Sequence, residues 1–122
     1  MRVLTGEQML VRVFIGKDDK WRHEPLFLAL VERLRKEGFA GATVVQGVAG
    51  FGPRSVMHTA HILRMSADLP MVVEIVDTDE RVQKLIPILD EMVDEGLVTI
   101  EKVRVLKYAP GKRPIAGTTC WS

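Results

Sequence analysis

Three glycines fall within six residues in the stretch Gly47-Val48-Ala49-Gly50-Phe51-Gly52, and Pro53, Arg54 and Ser55 follow at once. Glycine is favoured where the backbone takes positive φ or comes close to a ligand. Clustered free N–H groups beside a planar arginine fork form a pocket for an anion. Gly50, Phe51, Gly52 and Arg54 therefore read as a loop base that would hold a phosphate or carboxylate. The competing reading is a tight turn that Phe51 anchors by packing, with Arg54 solvated. His58 and His61 are three residues apart and share one face if residues 55–65 are helical. They would give two ligands of a metal site, where three or four are usual, and His23 or Cys120 would have to complete it. Histidines on the surface of a loop helix are the simpler reading, and the pair is pH-responsive in either case.

Elsewhere the reactive residue types read as structural. Asp18 and Asp19 between Lys17 and Lys20 make a charge-balanced turn, since adjacent loop carboxylates usually diverge. Glu74 lies mid-strand among apolar residues and needs a cation from a neighbouring strand or subunit. Trp21 reads as packing at the entry to a helix. Cys120 has no base beside it in sequence. With no nucleophile–base pair and no carboxylate pair set for proton transfer, an enzyme is not expected.

The elements that must position these residues follow from periodicity. Residues 8–15 alternate, with Val11, Val13 and Ile15 on one side and Leu10, Arg12 and Phe14 on the other, which is a strand. Residues 16–21 form a polar loop, and Pro25 suits the first position of a helix. Phe27, Leu30, Val31 and Leu34 make its apolar stripe, and Gly38 ends it. Strands are expected at 42–48, 71–76 and 98–106. Residues 50–69 form a connection far longer than the usual length of about 4–6 residues. Asp77 and Glu80 suggest a capping box for a second helix striped by Val82, Leu85, Ile86 and Leu89. Pro87 should kink or loosen that helix, and Gly96 should stop it. The two halves repeat: Phe27/Leu30/Val31/Leu34 before Glu37-Gly38-Phe39 matches Leu85/Ile88/Leu89/Met92 before Glu95-Gly96-Leu97.

The order βαβ, long loop, βαβ predicts an α+β, ferredoxin-like (split βαβ) fold. Its four-stranded antiparallel sheet carries both helices on one face. The other face would show Leu10, Phe14, Val72 and Val76, so both faces are apolar. An oligomer that buries the second face is the economical answer, with cover by the tail as the alternative.

Composition bounds the rest. The chain has 122 residues, one domain's length, and is 47% hydrophobic, enough for a core. Its 17 basic and 16 acidic residues give a formal charge of +1 and no electrostatic case for nucleic acid. No apolar run nears the ~20 residues needed for membrane insertion. No leader pattern opens the chain, and the lone Cys120 fits a reducing, cytoplasmic setting.

The order of elements, with Gly41-Ala42-Thr43-Val44 leading into the loop and Gly50-Phe51-Gly52 opening it, resembles the PII signal-transduction superfamily. More closely, several segments resemble the PII-like family known as domain of unknown function 190. They are Ile15-Gly16-Lys17-Asp18-Asp19-Lys20-Trp21, Gly41-Ala42-Thr43-Val44, Gly50-Phe51-Gly52, His58-Thr59-Ala60, Asp68-Leu69-Pro70 and Val73-Glu74-Ile75-Val76-Asp77. The likeness covers residues 6–107, so residues 1–107 are expected as the domain and 108–122 as a C-terminal tail.

The resemblance implies a homotrimer with its sheets facing inward and a small anionic ligand, an adenine nucleotide in PII proteins, in the cleft between subunits. By position, Gly41, Ala42 and Thr43 would line that cleft, and Gly50, Phe51, Gly52 and Arg54 would form the loop base near the phosphates. Arg104 and Lys107, near the end of the fourth strand, loosely echo the basic residues that PII proteins use there. The loop at 50–69 would act as the T-loop and meet a partner such as a membrane transporter or an enzyme. The junction Asp94-Glu95-Gly96-Leu97-Val98-Thr99 departs from the pattern, because it lacks the second phosphate loop. Lys112 and Arg113 in the tail are candidates to replace it. The loop tyrosine modified in some PII proteins has no counterpart, since the single tyrosine is Tyr108. The alternative function is a trimeric metal-binding protein resembling the copper-tolerance relatives, with His58, His61 and His23 as ligands.

Overall fold

The computed structural model describes residues 4–51 and 69–111. In chain order the elements are β1 (Gly6–Gly16), β2 (Lys20–Trp21), β3 (Glu24–Pro25), α1 (Leu26–Lys36), β4 (Thr43–Gln46), β5 (Pro70–Asp77), α2 (Asp79–Met92) and β6 (Leu97–Val105). The main sheet is antiparallel, in the order β4-β5-β1-β6. This is the expected ferredoxin-like arrangement, with a small β2–β3 hairpin that starts at the end of the predicted polar loop and runs to Pro25, which sits one residue ahead of α1 rather than at its first position.

Alternation in β1 and β5 decides which side becomes core. Val11, Val13, Val73 and Ile75 are fully buried, and their neighbours Leu10, Phe14, Val72 and Val76 are half-buried on the other face. Both helices supply the matching stripes: Leu26, Ala29, Leu30 and Leu34 from α1, and Val82, Leu85, Ile88, Leu89 and Met92 from α2. Each of these side chains larger than alanine contributes roughly 1.5–3 kcal/mol by leaving water. Ile86, predicted within the stripe, is instead exposed, and Ile88 takes its place, as the repeat with α1 implied. The helix runs on through Pro87, which lies on its exposed side.

The helix ends differ in part from expectation. Gly38 (φ 82) follows the Glu37 cap of α1, and Phe39 N–H closes back on Leu34 O at 3.1 Å. Arg33, Arg35 and Lys36 lie in the last turn, where cations favour the helix dipole. The cap of α2 is Thr78, whose hydroxyl accepts from Arg81 N–H at 3.2 Å, and not Asp77. Asp77 shares the parity of Val73 and Ile75, so its strand turns it inward, where it is fully buried. Its carboxylate accepts from Ala40 N–H (2.9 Å) and Thr78 N–H (2.8 Å), tying the α1–β4 turn to the start of α2. α2 ends at Met92, ahead of Gly96. Gly96 instead serves close packing: a Cβ there would stand 2.7 Å from the Phe14 carbonyl oxygen.

Removing the Asp77 carboxylate leaves buried N–H donors without that acceptor. Asp77→Ala should cost on the order of 2 kcal/mol or more in urea unfolding. A loss below about 0.5 kcal/mol, the scale of an ordinary surface change, would contradict the tether.

Candidate functional site

The glycine run meets Pro70. Gly47 N–H donates to Pro70 O at 2.7 Å, and Lys17 N–H donates to Leu69 O at 2.8 Å. A Cβ on Gly47 would sit 2.7 Å from Pro70 Cγ and 3.3 Å from Pro70 O, and one on Gly50 would sit 3.0 Å from Pro70 Cγ. These two glycines thus let the outgoing chain close on the proline where the loop returns. Phe51 is 69% exposed, so it does not anchor the turn within the protomer. Gly52, Arg54, His58 and His61 lie outside the described residues, as do Lys112, Arg113 and Cys120.

Gly41, Ala42 and Thr43 lie at the other end of β4 from this loop base. They follow a braced turn. Arg81 lies over the Phe39 ring with its guanidinium carbon 4.8 Å from the centroid, and its Nη2 donates to the Glu37 carbonyl. The adjoining Ala40 N–H is held by Asp77. Thr43 is then presented, exposed, on the face opposite the helices, paired with Glu74. Arg104 stands on β6 at the far edge of the sheet and is exposed. Three strand spacings, about 14 Å, separate those two edges. Arg104 also shares the parity of Val98 and Ile100, which pair with Val13 and Val11, so it belongs to the helix side. One protomer therefore does not bring Arg104 to Thr43.

The strand register exposes a feature that single residues did not announce. Thr43 pairs with Glu74, Glu74 with Arg12, and Arg12 with Thr99, so a polar belt crosses all four strands on the open face. Arg12 Nε donates to Glu74 at 2.9 Å and Nη1 to Glu101 at 2.5 Å. The hydrogen bond to Glu74, then that to Glu101, holds the guanidinium still further above its usual range, so it is a fixed cation. Glu74 was expected to need such a partner. Arg12 was not singled out, and its signal was its shared parity with Leu10 and Phe14 on an otherwise apolar strand side. Beside the belt runs an apolar row, Val45-Val72-Phe14-Leu97. Val45 and Leu97 are exposed at 47% and 58%.

Beside the loop base, the β2–β3 hairpin turns through Arg22 (φ 47) and His23 (φ 72), with Arg22 stacked on Trp21 at 4.8 Å. Asp19 closes the turn below it: its carboxylate accepts from Gly16 N–H at 2.9 Å and its carbonyl from Leu26 N–H at 2.8 Å. Trp21 packs against the core, as expected. His23 is exposed at the hairpin tip, and no group of three His, Cys, Asp or Glu side chains suited to a metal occurs among the described residues. Among them, too, no helix is long and apolar enough to cross a membrane.

The contact between the glycines and Pro70 is open to a double-mutant cycle. Gly47→Ala should destabilise the protein by about 1–3 kcal/mol through overpacking. In a Pro70→Ala background the penalty should shrink by about half or more. Equal penalties in both backgrounds would mean that the glycine is not there for the proline.

The sequence matches the domain of unknown function 190 family, described as an uncharacterized ACR, over residues 8–105. A UPF0166 protein of Aquifex aeolicus (strain VF5) is 32% identical over 108 residues, covering 87% of this chain and 98% of the relative. A UPF0166 protein of Methanocaldococcus jannaschii is 32% identical over 99 residues, covering 80% and 91%. Among solved structures, CPII of Thiomonas intermedia K12, bound to ADP and bicarbonate, superposes with a TM-score of 0.61 at 16% identity, covering 83% of this chain and 90% of that one. A structure described as a PII-like signaling protein of Thermus thermophilus gives 0.59 at 18% identity, covering 83% and 91%. The chain therefore belongs to the domain of unknown function 190 family and shares its ferredoxin-like fold with PII-like signaling proteins.

Proposed function

We propose that this protein is a trimeric PII-like regulator rather than an enzyme. It takes a small anionic ligand, with an adenine nucleotide as first candidate, where subunits meet, and it signals through residues 50–69. The observation that carries the reading is the open sheet face. Its apolar row leaves Val45 and Leu97 about half exposed at the two sheet edges, beside Phe14 and Val72. A soluble monomer gains nothing from that surface, and a closed ring buries it. A head-to-tail ring also sets opposite sheet edges side by side. A neighbour's Arg104 would then approach Gly41, Ala42 and Thr43, supplying the cation that one protomer places elsewhere. Gly50, Phe51, Gly52 and Arg54 at the loop base would report the bound anion to the loop.

The ligand acts only if it prefers one state of the loop. The fold is the one in which CPII holds ADP and bicarbonate, which makes adenine nucleotides the natural first ligands to try.

Calorimetric titration of the whole protein with ATP, ADP, AMP and cyclic AMP, alongside light scattering, tests the proposal. One of the four should bind with one site per subunit, in a particle of three chain masses. Arg54→Ala and Arg104→Ala should each weaken binding about tenfold or more, the order of one charge-assisted contact. Silence with all four nucleotides would remove the nucleotide, and a monomeric mass at all concentrations would remove the intersubunit site.

A further inference from the structure

The polar belt is out of charge balance. On the open face of the four strands, among the described residues, β4 presents Thr43 and Val45, β5 presents Val72, Glu74 and Val76, and β1 presents Gln8, Leu10, Arg12 and Phe14. β6 presents Leu97, Thr99, Glu101 and Val103. One fixed cation thus faces two carboxylates, Glu74 and Glu101, and no other ionisable side chain of these strands shares the face. The remaining charges of these strands lie on the helix side. Lys102 and Glu7 pair there at 3.7 Å, Arg104 is exposed there, and Asp77 is buried there. In the free protomer water hydrates the surplus charge: the side chains of Glu74 and Glu101 are 34% and 55% exposed.

We infer that closing this face against further copies of the same chain takes up protons at the Glu74–Arg12–Glu101 cluster, so that acid tightens the assembly. The inference rests on the reading that the open face is the subunit interface. The belts of further copies cannot correct the imbalance by symmetry, because each brings one arginine and two carboxylates to this face, and Arg104, the cation proposed to approach Thr43, stands on the helix side of its own sheet. Burial removes the water that carried the surplus charge, and an unpaired buried charge is costly. A proton on one of the two carboxyls restores balance. It also makes that group a hydrogen-bond donor toward its ionised neighbour, with Arg12 still paired. The flanking row Val45-Val72-Phe14-Leu97 supplies the apolar contact that excludes water from the belt.

The linkage has a definite sign. If the assembled state binds more protons than the free subunits, the association constant rises as pH falls, by up to about tenfold per pH unit for each proton taken up. Sedimentation equilibrium of the full chain between pH 5.5 and 8 reads this directly. Wild type should associate more tightly at pH 5.5. Glu101→Gln removes the surplus charge, so it should associate at pH 8 about as tightly as wild type at pH 5.5, with a flat profile. Arg12→Gln should weaken association most at pH 8 and steepen the profile. Circular dichroism of each variant checks that the fold persists. A wild-type oligomer whose strength does not change with pH overturns the inference while leaving the interface standing. A Glu101→Gln profile as steep as wild type also overturns it, by assigning the proton to histidines. A protein that is monomeric at every pH removes the interface reading itself.

Discussion

Two helices cover one side of a four-stranded sheet, and the strands are apolar on both sides. β1 concentrates this constraint because it is paired along both edges. Its odd-numbered residues Val11, Val13 and Ile15 drive folding by burial beneath α1 and α2. Its even-numbered residues Leu10, Arg12 and Phe14 face out with nothing of the described chain packed on them as a layer. The same backbone register that builds the core therefore also builds an apolar and polar surface on the side away from the helices.

The candidate ligand residues make sense only against this frame. Gly41, Ala42 and Thr43 and the loop base around Gly47 and Gly50 stand at opposite ends of the short strand β4. Each end is anchored by a different device. Asp77 and Arg81 hold the turn that delivers Thr43, through hydrogen bonds to Ala40 N–H and the Glu37 carbonyl. Pro70 holds the mouth of the loop against Gly47 and Gly50, and the Lys17–Leu69 hydrogen bond fastens the hairpin to the same place. The loop mouth is thus joined to β4 and to the segment before the hairpin by backbone hydrogen bonds.

Much of the fold was legible because it rests on periodicity. The alternation within residues 8–15 and 71–76 is a one-dimensional pattern that burial reproduces directly, whereas the α1 stripe is reproduced at Leu30 and Leu34 but completed by Leu26 and Ala29, with Phe27 and Val31 only half-buried. Errors arose where three-dimensional crowding outranked a local signal. Asp77 looked like a cap but is turned into the interior by strand parity, so Thr78 caps instead. Gly96 looked like a helix stop but is required by the nearness of Phe14 O. The hairpin at Lys20–Trp21 and Glu24–Pro25 was hidden because its turn uses Arg22 and His23, not glycine, at positive φ.

What the sequence determined by itself is the set of elements, the two-sided apolar character of the sheet and the family, because each is written in residue type and spacing along the chain. The tertiary structure alone decided which residues meet. Register aligned Thr43, Glu74, Arg12 and Thr99 into one belt, although they lie far apart in the chain. Strand order put Arg104 at the opposite edge from Thr43. Closure of the loop gave Gly47 and Gly50 their reason in Pro70. Such contacts are made across hydrogen-bonded strands and returning loops, and no local window of sequence contains both partners.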